Sequence, residues 1–307
     1  MKTKFFKLFI ATIALALSAF TALAQTSVEL EEKSLPTGEF TSVNVTGDFE
    51  VTLTKGTYGS KVTVNKSISE YVEVYVRSKV LYINYNEKAV PKDVKKAITA
   101  KGAPKLVFRA VVYAPQLEGI TLEDNAVLTG TDTFYGSSFS LQMKDKAQLK
   151  NLSVTATKAS VSLKDKAQAV LILNADTELT VKTDDSANLK LTTTCVGLSI
   201  EGTGASKLTA SANADSFKLA GTGRSELTLS GKTNTLEVKA EKNTKLDTRS
   251  LAVPEVTATM TGGSLRCTAE SVLDVDLSGG SELYFTGAPQ MKIRKIVKST
   301  LAPDDKK

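Results

Sequence analysis

Four tyrosines within a short stretch, Tyr71, Tyr75, Tyr82 and Tyr85, are the densest group of side chains here able to hold a ligand. A tyrosine ring offers a flat apolar face and a hydroxyl at its tip, a combination suited to glycan or protein contact. Tyr71 and Tyr75 have the opposite parity to Val72, Val74 and Val76, and Tyr82 the opposite parity to Leu81 and Ile83. On extended strands that alternation turns these three outward. Tyr85 shares the parity of Leu81 and Ile83 unless a turn intervenes. The competing reading is that the rings cover a short helix that follows them.

Catalytic candidates are few. The chain contains no histidine, which removes most metal sites, serine triads and imidazole bases. Asp184 and Asp185 are adjacent, as are Glu123 and Asp124; neighbours on a strand point to opposite faces, so neither pair is an acid–base couple. There is no tryptophan to floor a sugar-cleaving groove. A column of Asp124, Asp145, Asp165 and Asp185 could be imagined to hold calcium. Lys144, Lys146, Lys164 and Lys166 flank its two middle members and oppose a cation, and the glycine-rich nonapeptide of calcium-binding β-rolls is missing. Gly202–Ser206 (GTGAS) and Gly221–Ser225 (GTGRS) only loosely echo phosphate loops, with no Lys-Ser/Thr and no helix after them. The expectation is no cofactor, no metal and no catalytic residue.

These side chains are set on a repeat. From about Gly119, a small residue followed two places later by leucine returns roughly every 19 residues, at Ala126, Ala147, Ala167, Ala187, Ser206, Ser225, Thr244, Ser264, Ser281 and Ser299. Strand-like and turn-like residues at a period near twenty indicate a β-solenoid. Each coil is expected to hold two main strands. The leucines, Leu128, Leu149, Leu189, Leu208, Leu227, Leu246, Leu283 and Leu301, should stack into one interior column. At Ser264 the leucine comes one residue early and Arg266 falls in its slot; an inward arginine is costly, so a one-residue bulge or shift is expected there. Two residues before the anchor stands Asp in four coils and Gly (Gly204, Gly223, Gly262, Gly279) in four others. What these types share is tolerance of left-handed backbone, so that column is read as selected for turn shape.

Residues 1–24 read as a signal peptide: Lys2, Lys4 and Lys7, an apolar run from Leu8 to Leu17, and Ala22-Leu23-Ala24 before Gln25. No cysteine near the cleavage point offers a lipid anchor. Cleavage lowers the formal charge from +6 to +3, with the basic residues spread out, which argues against nucleic-acid binding. No stable membrane span is expected after cleavage. Residues 25–35 read as a mobile leader, 36–115 as an N-terminal β part with a short helical insertion at 89–101, 116–301 as the solenoid and 302–307 as a polar tail. Cys195 and Cys267 occupy different columns three to four coils apart, roughly 14–19 Å at strand spacing and too far to bridge; both should be buried free thiols.

The runs FTSVNVTGDFEVTLTKGTYGSKVTVNKS (40–67), VLYINYN (80–86), VYAPQLEGITLEDNAVLTG (112–130), GTGASKLTA (202–210) and GTGRSELTLSG (221–231) together resemble the putative auto-transporter adhesin, head GIN domain family. The likeness spans about residues 38 to 290. It implies an exported bacterial protein with a right-handed β-helix-like fold and no assigned activity, and it supplies no functional residues to carry over. Unlike a complete autotransporter, the sequence shows no C-terminal barrel before its polar DDKK.

The expected fold is therefore all-β, a right-handed parallel β-helix of about ten coils entered through a strand-rich N-terminal part. The expected function is that of an exported, noncatalytic, adhesin-like or envelope-associated binding protein, in the periplasm, on the outer surface or outside the cell. Its partner would be a glycan or an envelope protein, met by Tyr71, Tyr75, Tyr82 and Tyr85. Two alternatives stand beside it: a carbohydrate-active β-helix enzyme (lyase or hydrolase) using carboxylate and lysine on a flank, and a structural module that joins an envelope assembly.

Overall fold

The computed structural model describes residues 29–35 and 38–304; the signal segment 1–24, residues 25–28 of the leader and residues 305–307 of the tail lie outside them. Stacked coils form a β-solenoid of about ten turns. Successive coils pair in parallel, with the repeat residues in register. Leu128, Leu149, Ala169, Leu189, Leu208, Leu227, Leu246, Leu265, Leu283 and Leu301 are consecutive cross-strand partners. From Leu128 to Leu283 they are 3% exposed or less. Burying a leucine is worth about 1.5–3 kcal/mol, so the column is a continuous source of cohesion along the axis. Ala126, Ala147, Ala167, Ala187, Ser206, Ser225, Thr244 and Ser281 are fully buried beside it. The buried hydroxyls are satisfied between coils: Thr183 donates to Ser206 at 3.1 Å, and the Gly262 amide to Ser281 at 2.9 Å.

The strands are longer than two separate pieces per coil would be. Asn188–Gly202, Lys207–Gly221 and Val127–Met143 each run from the leucine strand of one coil into the first strand of the next. The recurring break is the corner just before the anchor. There Gly47, Asp124, Asp145, Asp165, Asp185, Gly204, Gly223, Lys242, Gly262 and Gly279 all have φ between +55° and +118°. The residue after the corner donates its amide to the corner carbonyl one coil earlier, as in Lys146 to Asp124 at 2.8 Å and Arg224 to Gly204 at 2.6 Å. The turn reading of this column is therefore correct, and it extends to Lys242, whose type gave no such signal.

One anchor needs correcting. Lys242 pairs with Gly262 but Lys245 pairs with Ser264, so this coil is one residue short and Gly263, not Ser264, takes the anchor place. Leu265 then enters the leucine column. Arg266 points outward, 3.2 Å from Asp304 and over the Tyr284 ring at 5.4 Å.

The N-terminal part is threaded out of order. Ser42–Gly47 lies between Val80–Tyr85 and Gly119–Asp124, parallel to both, and Glu50–Lys55 lies likewise between Phe108–Ala114 and Val127–Met143. The chain thus builds one coil, lays a second beneath it, and crosses back above the first. A helix, Lys92–Ile98, occupies the connection between the two strands of that lower coil. Pro91 stands at its N-cap, just outside the helix, at φ −59° and ψ 152°.

The leader expectation fails over Leu30–Leu35. This segment is a strand, antiparallel to Gly59–Asn65 from Leu30–Asn65 to Leu35–Ser60. Glu32 meets Lys61 at 2.9 Å, and Ser69 donates to Glu31 at 2.6 Å. Backbone pairing at a sheet edge needs no apolar pattern, so polarity did not reveal it. Cys195 and Cys267 are free and buried. Desolvation pushes the Cys195 thiol up and that of Cys267 to about 12, keeping both protonated.

Candidate binding surface

The structure divides the tyrosine group into two pairs. Tyr75 and Tyr82 face each other across the antiparallel strands Val72–Arg77 and Val80–Tyr85 and stack with centroids 5.1 Å apart and planes 15° apart. Tyr75 is 44% exposed, so the stack stands on the outer face. Tyr71 and Tyr85 instead pack against the core. Tyr71 ends a 3-10 helix, Lys66–Tyr71, where period-two parity no longer applies, and its outward assignment is therefore wrong. Tyr85 lies against Phe108 at 5.1 Å, and its phenol is raised by burial first, then by Glu87 and Tyr71.

The stack heads a long polar flank. Tyr82 neighbours Asn44, which neighbours Thr121, Gln142 and Ser162 in succession. The adjoining row reads Ser42, Gly119, Ser140, Ser160, Thr180, Ser199, Lys218, Glu237 and Thr257. Steps along each row, from coil to coil, are about 4.8 Å. Along this flank run three hollows of about 330, 260 and 240 Å³. Glu178 and Thr180 line both the first and the second, and Ser216 and Lys218 both the second and the third. They therefore follow one another as a shallow trough, open to solvent, from Ser138 to Thr257 along the solenoid axis. Serine and threonine hydroxyls can each donate and accept, which fits them to a ligand rich in hydroxyl groups. This trough escaped sequence reading because its lining residues come from coils about twenty apart and share no fixed type. The one signal was the excess of Ser and Thr at outward parity.

Several carboxylates are engaged in the fold. Asp145 and Asp165 accept the backbone amides of Asp124 and Asp145 at 3.3 and 3.2 Å, which ties the corner column together and explains aspartate there. Lys144 pairs with Glu123 at 3.2 Å. Asp184 accepts from the Thr203 hydroxyl and from the Asp185 amide, and the Thr203 bond leads in holding it below the ordinary aspartate value. Asp132 is lowered by the Lys55 amide, then by Thr54 and Thr131, and Asp247 by Arg249. A general acid needs the opposite shift. Another hollow, of about 330 Å³, lies beside Cys195, Asp215 and Lys232, but the raised thiol makes no nucleophile. Among the described residues no three His, Cys, Asp or Glu side chains come together to hold a metal ion, and no helix is long and apolar enough to cross a membrane.

The sequence pattern of the putative auto-transporter adhesin, head GIN domain family matches residues 39–211 and again 172–289. The chain belongs to this family. Two solved structures share the fold with this adhesin-family chain. A putative adhesin from Parabacteroides distasonis is 17% identical, with a TM-score of 0.52 over 91% of this chain and 98% of its own. A putative lipid binding protein from the same species is 11% identical, with a TM-score of 0.50 over 90% and 98%. At such identities the likeness speaks for architecture alone. No curated protein matches this member of the family.

Proposed function

We propose that this protein is an exported, noncatalytic adhesin-like module that holds an extended glycan along the trough, with the Tyr75–Tyr82 stack as an aromatic contact at the head of the same flank. The observation that carries the reading is the continuity of the hydroxyl-lined trough from Ser138 to Thr257. A polymer lying along the axis meets a fresh hydroxyl every 4.8 Å or so, and many weak, repeated contacts sum to useful avidity. The ring faces suit the apolar face of a sugar. Lys158 and Lys218 beside Glu178, Glu237 and Glu255 give a mixed rim that favours neither strongly acidic nor strongly basic chains. Family membership supports the adhesin-like role, and the 1–24 segment supports export.

The test is retention of the protein on an array of exported bacterial and host polysaccharides. Retention on at least one neutral polymer is expected, weakened about tenfold by Tyr75→Ala with Tyr82→Ala and by Thr180→Lys with Ser199→Lys. Retention unchanged in both double variants, or no retention on any polymer, overturns the proposal. Cleavage of a uronate-containing polymer that is abolished by one aspartate substitution would establish the enzyme instead.

A further inference from the structure

The apolar spine is closed at one end and open at the other. At the N-terminal end Leu81, Ile83, Ala110 and Val112 are 2% exposed or less, and Ile68 of the 3-10 helix is fully buried. At the C-terminal end the inward columns continue into Gln290–Ile296 and Thr300–Pro303. Ile293 pairs with Val275 and Ile296 with Leu277. Val275 and Leu277 are fully buried, yet Ile293 is 57% exposed, Ile296 38% and the adjacent Val297 45%. No described residue stacks on this last coil. Its two strands each pair with a single neighbouring strand, Val272–Ser278 and Glu282–Thr286.

The rim of this face is basic. Lys292, Lys295 and Lys298 are exposed, and among the described residues none has a carboxylate within 4.0 Å. Arg294, between them, is bound to Asp274 at 2.7 Å. Asp304, the nearest acid of the following segment, is buried against Arg266. A second copy seated C-terminal end to C-terminal end would bring two sets of lysines together, and edge lysines are a device that discourages strand addition in either orientation. The complement of an apolar centre ringed by unpaired cations is an anionic amphiphile.

We propose that the C-terminal end of the solenoid docks on an anionic lipid surface, with Ile293, Ile296 and Val297 entering the headgroup layer and Lys292, Lys295 and Lys298 meeting its charges. The molecule then stands end-on. The tyrosine stack is at the far end and the flank is clear of the surface. The inference is independent of what the flank binds.

The test is co-sedimentation of the chain from Gln25 onward, which keeps every described residue, with vesicles of equal phosphatidylglycerol and phosphatidylcholine or of phosphatidylcholine alone. Binding is expected to the anionic vesicles only, and to weaken in about 0.5 M salt, where the screening length is a few ångströms. Each lysine near such a surface is worth about fivefold. Lys292→Gln, Lys295→Gln and Lys298→Gln together should therefore weaken binding about a hundredfold. Ile293→Ser with Ile296→Ser should weaken it at unchanged charge. Lys164→Gln, Lys166→Gln and Lys190→Gln, elsewhere on the coils, should leave it nearly as it was. No binding to anionic vesicles at low salt, or equal loss with the control lysines, overturns the proposal. So does a dimer in sedimentation velocity that Ile293→Ser dissolves, because the occupant is then a second copy.

Discussion

At the residue scale, the corner column shows how one backbone requirement selects different side chains. Glycine meets a positive φ without steric penalty. Aspartate meets it at a cost and recovers part of that cost through its carboxylate, as Asp145 does at the Asp124 amide. The two solutions are not interchangeable with alanine. At Gly223 (φ +81°) a Cβ would lie 2.7 Å from the Gly204 carbonyl oxygen, so the neighbouring coil must move. Three substitutions should rank accordingly in thermal melts. Asp145→Gly should change stability by less than about 1 kcal/mol. Asp145→Ala should cost about 1–2 kcal/mol from left-handed backbone and a lost acceptor. Gly223→Ala should cost the most, roughly 2–4 kcal/mol, with overpacking added. If Asp145→Gly were the worst of the three, the column would be serving the carboxylate's chemistry and not the turn. The types in this column disclosed its purpose from sequence because Asp and Gly have little else in common. Lys242 did not disclose itself, because nothing local marks a lysine forced into that conformation by the coils on either side.

At the element scale, the shortened coil at Gly262–Gly263 decides where Arg266 goes. Deleting one residue from the corner moves Leu265 into the spine and turns Arg266 outward, where it holds Asp304. That carboxylate, with its side chain 2% exposed, lies 3.2 Å from Arg266 and 3.9 Å from Arg249. The clamp ties the final strand, Thr300–Pro303, across two coils. Arg266→Met should leave Asp304 in a poorer environment and release that strand. Amide exchange at Leu301, Ala302 and Asp304 should speed up at least tenfold while exchange in the central coils stays the same. Unchanged exchange there would mean that pairing with Glu282–Thr286 alone holds the strand. The early leucine in GGSLRC was visible evidence of a shift. Which residue became the anchor was not, because Gly263 and Ser264 are both small and only the pairing of Lys245 with Ser264 separates them. The strand Leu30–Leu35 was hidden for a different reason: it is placed by hydrogen bonds to Gly59–Asn65, which no composition reports. Tyr71 was misplaced because two turns of 3-10 helix, Lys66–Tyr71, reset the parity that turned Tyr75 and Tyr82 outward.

At the scale of the whole molecule, each coil touches only its neighbours, so stability should be local. Leu208, 2% exposed, lies between Leu189 and Leu227 in the spine. Leu208→Ala should cost about 2–4 kcal/mol in its own neighbourhood. Hydrogen exchange read by mass spectrometry should show faster opening from about Asn188 to Leu229 and little change at Ile120 or Leu277. Uniform acceleration along the chain would show instead that the solenoid opens as one unit. The sequence alone determined the period, the inward leucines, the turn character of the corners and the separation of the two cysteines. All of these follow from local residue type repeated at a constant spacing, which stacking can only amplify. The tertiary structure alone decided that the coil of residues 42–55 sits between two later ones, that outward hydroxyls align into a trough, that the tyrosines divide into a stacked pair and a packed pair, and that Ile293, Ile296 and Val297 stand exposed among lysines on the last described coil. Each of these depends on which distant strands become neighbours, and that is set by the summed energy of pairing and burial across the whole stack, not by any residue's own preference.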